Sequence, residues 1–223
     1  MSKKILIVGA SGLVGSEILK NLKSTNDDLI LLSRRKILDE NNISQIIIDF
    51  ENIDSLSADT EIDEIYIAIG FRLSLSELVF IKRDNRKNFI NVDFHYIKKV
   101  AEFAKRCGAS SIGMISAIGA NPNSLNTYLK IKGSVENEIK LMGYEKIIIA
   151  HPSHLLGDRP NEEIPINVKV FEKITNFFGL LMIGPLQKFK NIDAEKVAKA
   201  IISKMNSVEE GIHYIDYKYF KNF

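Results

Sequence analysis

Residues 3–19 read Lys3-Lys4-Ile5-Leu6-Ile7-Val8-Gly9-Ala10-Ser11-Gly12-Leu13-Val14-Gly15-Ser16-Glu17-Ile18-Leu19. Four successive aliphatic residues, Ile5 to Val8, predict a strand buried on both faces. Glycine then recurs every third residue, at Gly9, Gly12 and Gly15, and Val14, Ile18, Leu19 and Leu22 recur at helical spacing. Strand, tight turn and helix in that order open a βαβ unit of the dinucleotide-binding kind. Gly9 permits a turn with positive φ, Gly12 lets backbone approach a pyrophosphate, and Gly15 lets the helix pack close to the strand. Ser11, Leu13 and Val14 lie in the loop and first turn, where unpaired N–H groups and the positive end of the helix dipole meet phosphate. The spacing is GxxGxxG rather than GxGxxG. Taken alone it is a weak signal, and a glycine-rich turn that holds no ligand is the lesser alternative.

The other strands follow at α/β intervals. Asp28–Ser33 predicts a second buried strand, Gln45–Phe50 a third, Glu64–Gly70 a fourth, Ser110–Ser116 a fifth, Lys146–Ala150 a sixth and Gly211–Tyr217 a last. Helices are expected from Ile90 to Cys107-Gly108, from Leu125 to Met142, from Asn167 to Leu181 and from Ala194 to Met205, the last capped by Asp193. Residues 71–90, with Lys82-Arg83-Asp84-Asn85-Arg86-Lys87, read as a mobile loop near the ligand. Alternating strands and helices give a Rossmann-type, doubly wound parallel sheet in three α/β/α layers. A single domain over residues 1–223 is expected, with a small substrate-side extension over about 151–192.

Composition narrows the function classes. The chain has 223 residues, 45% hydrophobic and 26% charged, with a net charge of +2. That balance gives no electrostatic case for nucleic acid or an anionic membrane. One cysteine, Cys107, excludes an internal disulfide framework and a cysteine-built metal site. The apolar run after Lys3-Lys4 is too short and too glycine-broken for a signal peptide, and no stretch approaches ~18 apolar residues. A cytoplasmic protein, monomer or homodimer, is the expectation. His151 and His154 have no third ligand at metal spacing, so no metal is expected.

The end of the second strand faces the adenosine ribose in such folds. Here it carries Ser33-Arg34-Arg35 and no acid before Asp39. A guanidinium pairs with a 2′-phosphate through two charge-assisted hydrogen bonds, so NADP is expected ahead of NAD. Asp49, ending the third strand, either meets the adenine edge or caps the next turn. Gly70 ends the fourth strand where backbone passes the cofactor.

The reactive chemistry is carried by Ser116, Tyr128 and Lys132. Tyr128 and Lys132 are four apart on a helix and share a face. An ammonium beside a phenol favours phenolate, so Lys132 is expected to draw Tyr128 down from its ordinary value of ~10 toward neutrality. Tyr128 then serves as acid for a carbonyl oxygen or base for an alcohol, and Lys132 also reaches the nicotinamide ribose. Ser116, at a strand end, holds the substrate oxygen. The substrate is expected to be a small carbonyl or alcohol.

These features resemble the short-chain dehydrogenase/reductase superfamily, and in detail its atypical branch of Tat-interacting oxidoreductase-like proteins. The closer match lies in Asn91-Val92-Asp93, Ser116-Ala117-Ile118-Gly119-Ala120, Tyr128-Leu129-Lys130-Ile131-Lys132-Gly133-Ser134-Val135-Glu136 and Leu155-Leu156-Gly157-Asp158-Arg159. The resemblance implies NADP binding, an active pair of Tyr128 and Lys132, and cofactor contacts at Pro152 and Leu155. Where that group has Arg-Pro-Gly after the sixth strand, this chain has His151-Pro152-Ser153. Two alternatives stand beside the oxidoreductase: a non-catalytic, NmrA-like NADP-binding regulator, and a sugar-nucleotide epimerase.

Overall fold

A computed structural model describes residues 2–38, 43–157, 187, 189–207 and 209–223. The strands β1 (Lys4–Val8), β2 (Asp28–Ser33), β3 (Ser44–Ile47), β4 (Glu64–Ile67), β5 (Ser111–Ile115), β6 (Lys146–Ala150) and β9 (Gly211–Ile215) form one sheet in the order β3-β2-β1-β4-β5-β6-β9. All its pairings are parallel, from Lys4 beside Asp28 to Lys146 beside Gly211. A second, two-stranded pair joins β7 (Leu155–Leu156) to β8 (Ile192–Asp193).

The unbroken aliphatic run of β1 is explained by burial on both sides. Leu6 and Val8 enter one core, and Ile5 and Ile7 enter the other, as the two-residue strand period requires. The first core is closed by α4 (Ile97–Arg106) and α5 (Thr127–Leu141), the second by α1 (Leu13–Leu22) and α6 (Ala194–Met205). A short α7 (Tyr217–Phe220) seats Phe220 in the second core. The strand order reverses between β1 and β4, and the carboxyl ends there open the crevice where α/β sheets bind ligands.

The segment 71–90 departs from the loop reading. It holds α2 (Leu75–Val79) and α3 (Arg83–Ile90). Ser74 and Glu77 form a capping box, and the second Glu77 oxygen accepts from Asn85 Nδ2 at 2.7 Å, which ties α2 to α3. The hydrogen bonds from Asn85 and Ser74 hold Glu77 down at about 2. The charges that made this stretch look solvated line one side of a helix, whose Phe89 is fully buried.

Between α3 and α4 the backbone widens into a π-turn, Asn91–Tyr96. The extra residue shifts the helical register. Within the helix expected from Ile90 onward, the buried side chain of this turn is Asp93. Single π-turns of this kind are frequent at functional sites. The expected helix at 167–181 lies outside the described residues, as do Asp158 and Arg159.

Candidate active site

The glycine end of the crevice is made of backbone. Gly9 has φ +92°, and a Cβ there would stand 2.7 Å from the Ala68 carbonyl, beyond the end of β4. A Cβ on Gly15 would stand 2.0 Å from the Gly9 oxygen. Two of the three glycines therefore follow from close contact between β1, α1 and the loop after β4. Gly12 N donates to Gly9 O at 2.8 Å, and Gly12 is the extended N-cap of α1. The first intrahelical bond comes from Ser16 N to Gly12 O, so Leu13, Val14 and Gly15 precede the α1 ladder with N–H groups free of it. No acid lies in that first turn. Ser11 is exposed on the loop, and the Val14 side chain is buried, which leaves only its N–H for a ligand. The free donors and the side-chain-free cradle fit a dinucleotide's phosphates. Gly157, after β7, lies over the loop, 3.0 Å from Leu13 Cδ1 when a Cβ is placed on it, and Leu155 packs on the second core.

Arg34 and Arg35 are exposed just beyond β2. Ser33 Oγ donates to the Arg35 carbonyl at 2.6 Å and closes the turn, and neither guanidinium forms an ion pair among the described residues. Asp49 takes the capping role: its carboxylate accepts from Glu51 N at 3.1 Å, starting a 3₁₀ turn over Phe50–Ser55. Gly70 is exposed, and a Cβ on it would meet only Asp93 Oδ1, at 3.5 Å.

The other end of the crevice is made of side chains. Asn126 caps α5 by accepting from Leu129 N at 3.0 Å, and its Nδ2 donates to Leu78 O and Val79 O of α2. A Cβ on Gly133 would stand 2.4 Å from Pro122 N, so the loop after β5 lies directly on α5. Tyr128, Lys132 and Glu136 follow at four-residue intervals along one face of α5. Phe89 of α3 packs against Tyr128 with ring centroids 5.8 Å apart. Lys132 Nζ is 2.8 Å from Asp93 Oδ1, while Asp93 Oδ2 accepts from Phe71 N at 2.6 Å. Lys132 is 5% exposed and Asp93 1%. This buried pair ties α5, the π-turn and the end of β4 together. Removing one partner of such a pair costs about 3–5 kcal/mol, because the other charge is left uncompensated.

Ser116 is bonded within the protein. Its hydroxyl donates to Glu136 Oε1, which also bonds His151 Nε2 at 2.8 Å. Ser116 and Glu136 are each 4% exposed. Ser116 N donates to Ala150 O at 2.8 Å, and Ile118 N to Pro152 O at 2.9 Å, so the ends of β5 and β6 are stitched together. The His151 ring lies against Tyr214 of β9, centroids 5.3 Å apart.

Lys132 pulls Tyr128 downward as expected, but the pull is outweighed. Burial raises the Tyr128 phenol above its ordinary value; Lys132 works downward, and Asp93 works upward again. For Lys132, burial opposes the charge, but Asp93, with smaller help from Tyr128 and Glu136, more than offsets it and holds the ammonium above its ordinary value.

Asp93, Glu136 and His151 complete this end, and none was among the expected site residues. Glu136 had a legible signal, since it continues the Tyr128–Lys132 spacing by one more turn. Asp93 and His151 had none, because their partners come from other elements. Among the described residues, no group of three or more His, Cys, Asp or Glu side chains is placed to hold a metal ion, and no helix is long and apolar enough to cross a membrane.

The chain is similar to several known proteins. The protein HTATIP2 of Rattus norvegicus is 29% identical over 165 residues, covering 71% of this chain and 65% of its own. This chain thus matches just under two thirds of that relative's length. The protein FMP52, mitochondrial, of Candida albicans is 31% identical over 199 residues, 88% of this chain and 85% of its own. Among solved structures, MoeE5 in complex with UDP-glucose and NAD superposes with a TM-score of 0.70 at 12% identity, covering 97% of this chain and 79% of that one, a likeness of fold. The family model described as "NAD dependent epimerase/dehydratase family" matches residues 5–217, nearly the whole sheet and both ends of the crevice, and the chain belongs to that family.

Proposed function

We propose that the chain is an NADP-dependent oxidoreductase acting on the carbonyl or alcohol of a small molecule, with Tyr128 as the acid–base group. The observation that carries this reading is the Tyr128–Lys132 pair on one face of α5, with Lys132 locked by Asp93. When bound, the nicotinamide supplies or accepts the hydride. The N–H groups of Leu13, Val14 and Gly15 hold the pyrophosphate, with Ser11, Gly9 and Gly12 leaving room for it. Arg34 and Arg35 take the 2′-phosphate. Pro152 and Leu155 wall the nicotinamide end, Gly70 leaves its side open, and Asp49 keeps its turn in place. Tyr128 moves a proton between its Oη and the substrate oxygen, and Lys132 fixes the ribose side. Ser116 spends its own proton on Glu136, so polarisation of the substrate oxygen falls mainly on Tyr128.

Tyr128→Phe is expected to bind NADPH as the wild type does. Its turnover across a panel of carbonyl compounds is expected to fall by ~10²–10⁴-fold. Undiminished turnover in that variant would remove Tyr128 from the chemistry.

A non-catalytic NADP-binding protein is the second reading, and one observation favours it: Ser116, a candidate donor to the substrate, is already engaged with Glu136. Tight NADPH binding with no oxidation across the panel would select it. The epimerase reading uses the same Tyr128 and Lys132, and no observation among the described residues favours it over the oxidoreductase.

A further inference from the structure

The basic residues of α3 take no part in the site described above. A cavity of about 420 Å³ lies against α3 and the π-turn, lined by Arg83, Arg86, Lys87, Ile90, Asn91 and His95. These residues recur at intervals of three and four, so they share one face of the continuous helical segment. No carboxylate lines the cavity. Arg83, Arg86, Lys87 and His95 are exposed, and none of them forms an ion pair among the described residues. The nearby acids are committed elsewhere. Asp93 is buried against Lys132, and Glu77 accepts from Ser74 and Asn85. Asp84 follows Arg83 in the chain but lies outside the lining.

Cations three and four residues apart on a helix destabilise it. Arg83 therefore repels both Arg86 and Lys87, and no side chain of the lining offsets that repulsion. A concave surface lined by one sign of charge concentrates counter-ions. A volume of this size holds a small molecule rather than a bare ion. Guanidinium forks match phosphate oxygens through paired hydrogen bonds, and an ammonium adds a point charge. None of the six lining residues belongs to the loops after β1, β2 or β4 that edge the glycine crevice. We propose that this cavity is a second binding site, for a small soluble molecule carrying a diphosphate or two phosphate groups. Arg83, Arg86 and Lys87 take the phosphate oxygens, and Ile90, Asn91 and His95 meet the rest of the molecule. The concavity favours a soluble ligand over the flat face of an anionic membrane. The proposal rests neither on Tyr128 nor on the identity of the dinucleotide.

The test is calorimetric titration of the full-length protein with inorganic pyrophosphate at fixed ionic strength, with and without saturating NADPH. The wild type is expected to bind one pyrophosphate with Kd below about 1 mM, and NADPH is expected to leave that binding unchanged. Backbone amide NMR shifts are expected to centre on residues 83–95. Arg83→Gln/Arg86→Gln, two exposed positions, is expected to keep its fold and to weaken binding about tenfold or more. Inorganic phosphate is expected to bind about tenfold more weakly than pyrophosphate. Equal affinity for the two anions would mark general counter-ion attraction and overturn the proposal. Absence of pyrophosphate binding would overturn it too, as would an undiminished affinity in the double variant. Displacement by NADPH, or shifts confined to residues 9–15, would place the anion in the glycine crevice and overturn it as well. Arginine-dependent sedimentation with phosphatidylserine-containing vesicles, without pyrophosphate binding, would assign the face to a membrane instead.

Discussion

The two ends of the crevice are built from different materials. At the glycine end, the shape is set by backbone meeting backbone: Gly9 against Ala68, and Gly15 against Gly9. At the reactive end, it is set by buried charges drawn from separate elements: Asp93 with Lys132, and Glu136 with Ser116 and His151. The first end tolerates almost no added atom. The second tolerates atoms but not a lost partner. The dinucleotide proposed above would meet backbone donors at one end and this network of buried side chains at the other.

The largest expected effect breaks the backbone end. Gly15→Ala places a Cβ 2.0 Å from the Gly9 carbonyl oxygen, part of a backbone peptide that cannot rotate away as a side chain would. A loss of about 3 kcal/mol or more, or failure to fold, is expected in chemical denaturation. Gly70→Ala, on the opposite lip, meets only the Asp93 carboxylate at 3.5 Å and is expected to stay within about 1 kcal/mol of the wild type. Equal stability of the two variants would mean that the loop does not pack as described.

A smaller effect is expected at the side-chain end. Glu136→Ala removes the acceptor of both Ser116 and His151, leaving a buried hydroxyl unsatisfied. The expected cost is about 1–3 kcal/mol in the denaturation midpoint, with Glu136→Gln recovering part of it. A Glu136→Ala protein as stable as the wild type would show that this network is not a support of the site.

The contrast also explains what was legible in the sequence. Backbone constraints leave a local mark, because only glycine satisfies them. Gly9 and Gly15 could thus be assigned their positions from their spacing after Ile5–Val8, and the parallel sheet followed from the spacing of the aliphatic runs. The Tyr128–Lys132 pair was legible for the same reason, since both residues lie on one helix. Side-chain networks leave no such mark. Asp93 reaches Lys132 because a π-turn rotates it inward, and no pattern in Asn91–Tyr96 announces that turn. His151 reaches Glu136 only because β6 lies beside β5. Spacing reveals the cation beside Tyr128, but not the burial of the phenol, which outweighs that cation's pull. Residues 71–90 were misread because charge was taken for solvation, while the hydrogen bonds of Glu77 to Ser74 and Asn85 make the segment helical.

The smallest expected effect, at the rim of the backbone end, bears most directly on the central claim that the crevice holds a 2′-phosphorylated nicotinamide dinucleotide. Arg34 and Arg35 stand exposed after β2, with neither guanidinium in an ion pair among the described residues. Calorimetric titration of the full-length protein with NADPH and with NADH is the deciding measurement. The account predicts one-to-one binding of NADPH and binding of NADH weaker by at least tenfold, about 1.4 kcal/mol, with the Arg34→Ala/Arg35→Ala double variant bringing the two together. NADH bound as tightly as NADPH, or no binding of either, would contradict it.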